Sequence, residues 1–377
     1  MVFSSRLHWS LEPNPVSKLL AVKRAAGDTI LDLTESNPAD AGFELPAKEI
    51  LQALADPRSL RYTPLPAGLR CARDAVAAYY GGRVDSDRIL LTTSTSEAYA
   101  YLFKLLTDPG DNILTPRPSY PLFDFLAGME FVDTVPYSLD FDDLDDRVNA
   151  RTRAIVVVNP NNPTGSFIKR QQLDRLIAFC LKHDLAIISD EVFADYVFTD
   201  SPTRVPSLIN VHEVLTFSLS GLSKVAGLPQ MKLGWMAVSG PADLQRSALE
   251  RLELITDTYL SVSTPVQWAA PKLLQLGRGI QGQIADRTKA NLGELRRALS
   301  RHSAFRLLEP EGGWYAVIEV PRVRSEEEWV LELLERDDVL IQPGFFYDFE
   351  REAYLVLSLL TSPGNFRHGV QRLIEGL

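Results

Sequence analysis

The segment that decides the fold is SLSGLSKVAGLPQMKLGW, residues 218–235, in which a lysine stands between two apolar runs. The runs Val214 to Leu219 and Leu233 to Val238 have the length and composition of buried strands. Small polar residues and a Gly-Leu-Pro break separate them, so Lys224 comes shortly after the end of the first run. A lysine at such a place must have a partner, lose its charge, or extend its amine to water.

Two interpretations of Lys224 follow from this context. In the structural one, its aliphatic stem lies on apolar surface and its ammonium group reaches solvent. In the functional one, the amine forms a Schiff base, because a poorly solvated lysine is nucleophilic near neutral pH and small neighbours leave room for a planar cofactor. A short motif fits both interpretations, so the rest of the chain must decide between them.

Composition bounds the class of protein and its partners. The chain has 377 residues, with 45% hydrophobic and 23% charged residues, which is typical of a globular protein with a large core. A formal net charge of −10 without a Lys/Arg-rich cluster argues against nucleic-acid partners. No apolar run reaches membrane-spanning length, and residues 1–10 lack signal-peptide features. Cys71 and Cys180 lack metal-ligand spacing, so we expect free thiols in a reducing cytoplasm and no metal site.

Strands and helices alternate from about residue 88. Strand-like runs occur at 89–91, 112–114, 154–158, 185–189, 214–219 and 233–238. This alternation predicts an α/β fold with a mainly parallel sheet sandwiched by helices. Residues 305–377 show an α+β pattern instead. We therefore expect a large domain of residues 46–290 and a smaller α+β domain made of residues 1–45 plus 291–377.

Polar residues follow three of the predicted strands. Asn162, Asp190 and Lys224 come after the runs 154–158, 185–189 and 214–219. Ligands bind at the carboxyl ends of strands in sheets of this kind, so we expect these side chains to share one site. Asp190 at a strand end and Asn162 in an Asn-Pro-Thr-Gly turn are also explained by turn and cap chemistry alone.

The lysine segment, with ISDEVF at 188–193 and NPNNPTG at 159–165, resembles the motifs of class I/II pyridoxal-phosphate-dependent aminotransferases, members of the fold-type I superfamily. The resemblance implies pyridoxal 5′-phosphate as cofactor, bound through a Schiff base to Lys224. By the same resemblance, Asp190 faces the pyridine nitrogen and Asn162 donates to the ring 3′-oxygen. The matching motifs extend from residue 62 to residue 234 in the family's order.

A phosphate site is predicted at TSTSEA, residues 93–98, which opens a helix. Backbone N–H groups at a helix start form an anion site, although a plain Ser/Thr cap explains the same residues. The resemblance assigns Thr95 and Ser96 to phosphate binding, and it adds Ser223 and Lys232 to the same phosphate site. Position 232 is usually arginine in the family, and lysine provides a point charge without the bidentate fork.

Two tyrosines complete the predicted cofactor site. Tyr120, in PSYP at 118–121, resembles the aromatic residue that stacks on the pyridine ring, although a core position explains it equally well. Tyr62 lies in a Tyr-x-Pro-x-x-Gly segment and resembles the tyrosine that reaches the phosphate of a neighbouring subunit. This implies a homodimer with shared active sites.

The sequence departs from the family pattern at two positions. Phe193 stands where the family often has a tyrosine that donates to the ring oxygen, so we expect the Schiff base to hold its proton more tightly. Val356 stands where an arginine usually binds the substrate carboxylate. Another arginine could replace it (candidates are Arg61, Arg117, Arg351 and Arg367), or the substrate is anchored otherwise. Glu35 could meet a cationic group.

The resemblance implies an aminotransferase that moves an amino group between a small-molecule amino donor, an amino acid or amine, and a 2-oxo acid acceptor. Lys224 and Asp190 are the expected catalytic residues. A lyase or decarboxylase on the same fold is the alternative, since fold does not fix the reaction. A silent cofactor-binding module fused to a DNA-binding domain ranks last, because about 45 residues precede the family-like region and the net charge is acidic.

Overall fold

The computed structural model describes residues 2–375 of the chain. Its strands are β1 Leu31–Asp32, β2 Ile89–Thr92, β3 Asn112–Arg117, β4 Asp133–Ser138, β5 Thr152–Val158, β6 Ala186–Asp190, β7 Thr216–Gly221, β8 Gly234–Ser239, β9 Arg306–Leu308, β10 Tyr315–Glu319, β11 Val339–Leu340, β12 Gln342–Pro343 and β13 Tyr354–Ser358. Its α-helices are α1 Pro15–Ala26, α2 Ala47–Leu54, α3 Arg70–Tyr79, α4 Thr95–Leu106, α5 Phe123–Met129, α6 Leu144–Arg147, α7 Arg170–His183, α8 Leu222–Val225, α9 Ala242–Tyr259, α10 Thr264–Leu299, α11 Glu326–Asp337 and α12 Pro363–Glu375.

The largest sheet has seven strands in the order β2-β8-β7-β6-β5-β3-β4. Strands β7, β6, β5, β3 and β4 run parallel, and β8 is antiparallel to both of its neighbours. The central strands are buried along their length because helices cover both faces. The predicted α/β fold with a mainly parallel, helix-covered sheet is confirmed.

Strand β4 was not predicted from the sequence. It lies at the edge of the large sheet, where only β3 pairs with it. It contains Pro136 and is buried at Tyr137 alone, so its apolar signal is weaker than that of the central strands. An edge strand tolerates proline because one row of its N–H groups faces away from the ladder.

A second, antiparallel sheet has the order β12-β13-β10-β9, and β1 pairs in parallel with β11 nearby. The 36-residue helix α10 connects the two apolar cores. Its first half, through Ile284, packs in the core under the large sheet, whereas Leu292, Leu295 and Leu299 pack in the core of the smaller sheet. On this ground we propose the division into residues 46–290 and residues 1–45 plus 291–377, of which 1, 376 and 377 lie outside the described residues.

Within residues 2–375, no helix combines the length and the apolar character that crossing a membrane would need.

Candidate active site

A cavity of about 290 Å³ lies at the carboxyl ends of the parallel strands. Asn162, Asp190 and Lys224 all line it, and each follows or ends a different strand of the large sheet. The topology explains their meeting, because β5, β6 and β7 are neighbours and run in the same direction. The structure therefore brings together the three residues that the sequence places after strands.

Lys224 lies in the one-turn helix α8, directly after β7. Its Nζ lies 4.7 Å from the ring centre of Trp314 and 5.7 Å from that of Phe193. Among the contacts within residues 2–375, this amine makes no hydrogen bond or ion pair. Burial lowers the pKa of Lys224 to about 8, and the charge of Asp190 opposes that shift. A substantial fraction of the amine is therefore neutral and nucleophilic near physiological pH.

Asp190 ends β6 and is 7% exposed. Its Oδ1 accepts a hydrogen bond from the backbone N–H of Val192 at 3.2 Å, and its Oδ2 accepts one from the Tyr99 hydroxyl at 3.1 Å. Burial raises the pKa of Asp190 to about 6. The two hydrogen bonds and the charge of Lys224 act in the opposite direction and limit this increase. The carboxyl group is consequently mostly ionised at pH 7 and presents a buried anion to the cavity.

The next residue, Glu191, fixes the strand ends behind the cavity. Its carboxylate is 2% exposed. It accepts hydrogen bonds from the Ser207 hydroxyl at 2.6 Å and the Leu208 N–H at 2.7 Å, and from the hydroxyls of Ser189 and Ser218. Burial raises the pKa of Glu191, and its donors oppose that shift. Because these donors come from β6, β7 and the loop between them, Glu191 holds the ends of both strands in place.

The loop that contains Asn162 is held by its neighbours. Asn159 is fully buried, where Oδ1 accepts from the Ile168 N–H at 3.0 Å and Nδ2 donates to the Val205 carbonyl at 2.9 Å. Asn162 differs, because its Oδ1 is buried without a hydrogen-bond partner within the described chain. A buried carbonyl oxygen without a donor is costly, so this side chain fits a cavity in which a ligand completes its hydrogen bonds.

The predicted phosphate residues line one end of the cavity. Thr95 begins α4, Ser94 caps it by accepting from the Glu97 N–H at 3.2 Å, and Ser96 and Ser223 lie beside them. The first N–H groups of a helix have no partner inside the helix, so they form an anion site. A Cβ on Gly234 would lie 3.1 Å from the Ser94 backbone, so a larger residue at position 234 would require this backbone to shift by a few tenths of an ångström.

The remaining predicted residues have different positions. Tyr120 lines the cavity, is 38% exposed, and packs edge-on against Phe123 at 6.2 Å, which leaves ring surface for a stacked ligand. Lys232 is exposed and does not line the cavity, although its neighbour Leu233 does. Tyr62 is 74% exposed and borders a different pocket. Within the described chain, the structure therefore does not bring Lys232 and Tyr62 to the cavity.

Sequence reasoning missed several residues that line the cavity or lie directly behind its wall. Tyr99 follows Thr95 by one helical turn, so it faces the same side of α4, and that spacing could have identified it. Tyr315 lines the cavity from β10, and Trp314 precedes it at the start of that strand. Ser36 comes from the segment after β1. No sequence signal located these last three, because they belong to a part of the fold distant in sequence.

The position expected to bind a substrate carboxylate is apolar. Val356 is 1% exposed, lies opposite Val317 in the sheet, and packs with Tyr347 and Tyr354. The four alternative arginines do not line the cavity: Arg117 pairs with Asp348, Arg367 lies near Glu294, and Arg61 and Arg351 are exposed.

Glu35 is half-buried in the segment after β1, close to Tyr315. Its Oε1 accepts a hydrogen bond from the Asn37 N–H at 2.7 Å. The charged side chains that line the described cavity are therefore Lys224 and Asp190 alone.

Comparison with known proteins identifies the family of this chain. The family model described as aminotransferase class I and II matches residues 28–373. The chain is 30% identical to an alanine aminotransferase of Mycobacterium bovis, over 95% of this chain and 88% of that protein. It is 28% identical to the glutamate-pyruvate aminotransferase AlaA of Haemophilus influenzae, over 96% and 94%.

Solved structures show the same fold. An alanine aminotransferase from Pyrococcus furiosus superposes with a TM-score of 0.88 at 23% identity, covering 99% of each chain. An aminotransferase from Escherichia coli gives a TM-score of 0.87 at 24% identity, covering 100% of this chain and 98% of that one. The matched family model spans nearly all of the sequence and the whole of the cavity. The chain therefore belongs to the class I and II aminotransferases, and it is an enzyme that transfers amino groups.

Proposed function

We propose that the cavity binds pyridoxal 5′-phosphate and that the enzyme uses it to move an amino group between an amino donor and a 2-oxo acid. The observation that carries the proposal is the pair formed by Lys224 and Asp190 in one buried cavity. The lysine amine is held with a lowered pKa of about 8, and the carboxylate remains mostly ionised. Transamination with this cofactor needs both states in one site.

The other residues of the cavity fit the parts of the cofactor. Asn162 lines the cavity and offers its Nδ2 as a hydrogen-bond donor to a ring oxygen, and the hydroxyls of Thr95, Ser96 and Ser223 beside a helix start match a phosphate. Tyr120 offers an aromatic face for the ring. Lys232 is also proposed as a phosphate contact; it lies outside the cavity lining and directly precedes Leu233, which lines it.

When bound, the cofactor supplies an aldehyde that reacts with amines and a ring that accepts electron density. The chain's own residues do the rest. The buried carboxylate of Asp190 would face the ring nitrogen and favour a proton there. Lys224 would hold the cofactor through its amine, and its lowered pKa suits Nζ for taking up and giving back a proton in the cavity. Phe193 and Trp314 cover this amine and exclude water from it.

The names of the relatives guide the choice of substrates. The curated relatives above are named for alanine and for the glutamate-pyruvate pair, so we propose L-alanine and L-glutamate as the first donors to test. The matching 2-oxo acids are the first acceptors. A lyase or decarboxylase is not favoured, because those relatives are aminotransferases by name.

We also propose a homodimer with shared sites, in which Tyr62 reaches the neighbouring subunit. Tyr62 and nearby Leu60 are 74% and 93% exposed, so both side chains are accessible to a neighbouring subunit. Sedimentation of the wild type and of Tyr62→Phe tests this. A monomeric wild type would remove the proposal. The proposed location is the cytoplasm, which suits the two unpaired thiols of Cys71 and Cys180.

The visible absorbance spectrum of the purified enzyme tests the cofactor proposal. We expect a band that requires pyridoxal phosphate, is absent in Lys224→Ala, and changes when an amino donor is added. Return of the original band on adding a 2-oxo acid would support the complete amino-group transfer. A protein that binds no cofactor under these conditions would overturn the proposal.

A further inference from the structure

The phenol of Tyr99 makes a buried hydrogen bond to the carboxylate of Asp190. Tyr99 is 2% exposed, and its Oη lies 3.1 Å from Oδ2 of Asp190. Tyr99 is one turn along α4 from Thr95, which lines the same cavity. A single helix therefore supplies both the polar rim of the cavity and a hydrogen bond to the carboxylate at its floor.

The Tyr99 hydroxyl has a fixed position and acts as a hydrogen-bond donor to Asp190. Its ring packs against Phe103 at 5.9 Å and against Phe123 at 5.4 Å between centres, so the hydroxyl has a defined position. Burial and the nearby charge of Asp190 raise the pKa of Tyr99 well above its ordinary value. The phenol thus stays protonated at physiological pH, and within residues 2–375 its hydroxyl bonds only to Asp190.

Few groups influence the charge of Asp190. On its own segment the Val192 N–H donates to Oδ1, and from α4 Tyr99 donates to Oδ2. Lys224 acts on the Asp190 carboxylate through its charge alone. The Tyr120 phenol lies close enough for the charge of Asp190 to raise the pKa of Tyr120. Tyr99 is therefore one of two direct donors that favour the anion against the cost of burial.

We propose that Tyr99 is a positioning residue, which fixes the orientation of the Asp190 carboxylate and keeps it anionic for the ring nitrogen of the cofactor. This inference rests on the proposed cofactor. Tyr99 acts through Asp190, since it is Asp190 that lines the cavity. Without the phenol, the carboxylate keeps a single direct donor, so it should take up a proton at higher pH and bind a protonated ring less well at neutral pH.

The test is the pH dependence of cofactor affinity in Tyr99→Phe. The dissociation constant of pyridoxal phosphate is measured by absorbance between pH 5 and 9 for the wild type, Tyr99→Phe and Tyr137→Phe. Tyr137 is the matched control, because it is equally buried and donates to the Val156 carbonyl at 2.7 Å, away from Asp190. Tyr137→Phe removes a buried hydrogen bond but leaves both direct donors of Asp190 unchanged.

We expect affinity to weaken as pH falls through the point where Asp190 is protonated. In Tyr99→Phe that midpoint should rise by about one pH unit, the size of one hydrogen bond to a charged group. The two proteins should bind alike at high pH and differ by about tenfold below the wild-type midpoint. Tyr137→Phe should keep the wild-type midpoint. An unchanged midpoint in Tyr99→Phe, or a loss of affinity equal at every pH, would overturn the inference.

Two further measurements distinguish an effect on the titration of Asp190 from a failure of the variant to fold. Carbon-13 NMR of aspartate-labelled enzyme, with the Asp190 signal identified by its absence in Asp190→Asn, gives the titration of this group directly. The Asp190 signal must titrate at higher pH in Tyr99→Phe for the inference to stand. If Tyr99→Phe does not fold, 3-fluorotyrosine at position 99, a stronger donor, should lower the midpoint instead. A wild type that binds no cofactor defeats the proposed function, whereas binding with coincident midpoints defeats only this inference.

Discussion

The amine of Lys224 lies 4.7 Å from the ring centre of Trp314, although Lys224 follows β7 of the large sheet and Trp314 immediately precedes β10 of the smaller one. Trp314 is fully buried and packs edge-on against Phe193 at 5.2 Å and Tyr196 at 5.1 Å. The segment that leads into the smaller sheet thus covers the cavity at the strand ends of the large sheet. Because the indole excludes water from the amine, it contributes to the lowered pKa of Lys224.

The first prediction concerns the reactivity of that amine. Reaction of Lys224 with an aldehyde reagent, followed by mass spectrometry of the modified peptide, should show an inflection near pH 8 rather than at the ordinary 10.5. Trp314→Leu should move the inflection upward, because water reaches the charged form. Trp329→Leu removes an equally buried indole from the core of the smaller sheet and should leave the inflection unchanged. Equal shifts in both variants would contradict this explanation.

The second prediction concerns the stability of the cofactor-free protein. The pKa of Lys224 falls from 10.5 in the unfolded chain to about 8 in the fold, so the charged lysine destabilises the fold. The penalty is absent above pH 10.5, grows as pH falls, and is complete below about pH 8. Lys224→Met should therefore be more stable than the wild type at pH 7, by up to about 3 kcal/mol.

Urea denaturation of both proteins between pH 7 and 10.5 measures this difference. The free energies of unfolding should converge as pH rises toward 10.5. A difference that stays constant over that range would show that it comes from packing of the methionine and not from the charge.

The third prediction separates two asparagines of one loop. Asn162 has a buried Oδ1 without a partner, so Asn162→Ala should change the free energy of unfolding by less than about 1 kcal/mol while weakening cofactor binding about tenfold. Asn159 uses both ends of its amide, so Asn159→Ala should cost about 1–3 kcal/mol. Thermal unfolding and cofactor titration of the two variants check this. Equal losses of stability would show that Asn162 is also structural.

The fourth prediction concerns the substrate. Charged side chains lining the described cavity are limited to Lys224 and Asp190, and Val356 is packed among Val317, Tyr347 and Tyr354. An arginine that binds a carboxylate bidentately contributes roughly 1.5–3 kcal/mol. Without one, we expect L-phenylalanine and 2-phenylethylamine to convert the cofactor band with rate constants that differ by less than about tenfold.

A strong preference for the amino acid would contradict that prediction and would require a cation from elsewhere, such as a neighbouring subunit. Val356→Arg offers the reciprocal check. A buried arginine without a partner should destabilise the fold by several kcal/mol, measured by thermal unfolding. A stable variant that gains preference for amino acids would show that this strand faces the substrate.

The positions of Lys224, Asp190 and Asn162 could be predicted because each follows a strand whose apolar pattern is plain in the sequence. Parallel neighbouring strands end at one edge of a sheet, so residues after them meet. The edge strand β4 was missed, since it is mostly unburied and contains Pro136. Trp314 and Tyr315 were missed as well, because aromatic residues in apolar surroundings give no signal that separates a cavity wall from a core. Tyr99 was missed although its helical spacing from Thr95 could have located it.

By itself, the sequence determined the fold class, the family, and the lysine, aspartate and asparagine around which the cavity forms. These depend on local periodicity and on short motifs, which the order of residues contains directly. The tertiary structure alone decided the states of those groups. Burial sets the pKa of Lys224 and Asp190, the fold of α4 gives Asp190 its donor in Tyr99, and the second sheet supplies Trp314 and leaves Val356 in an apolar cluster. Desolvation and hydrogen bonding depend on neighbours distant in the chain, so only the assembled fold fixes them.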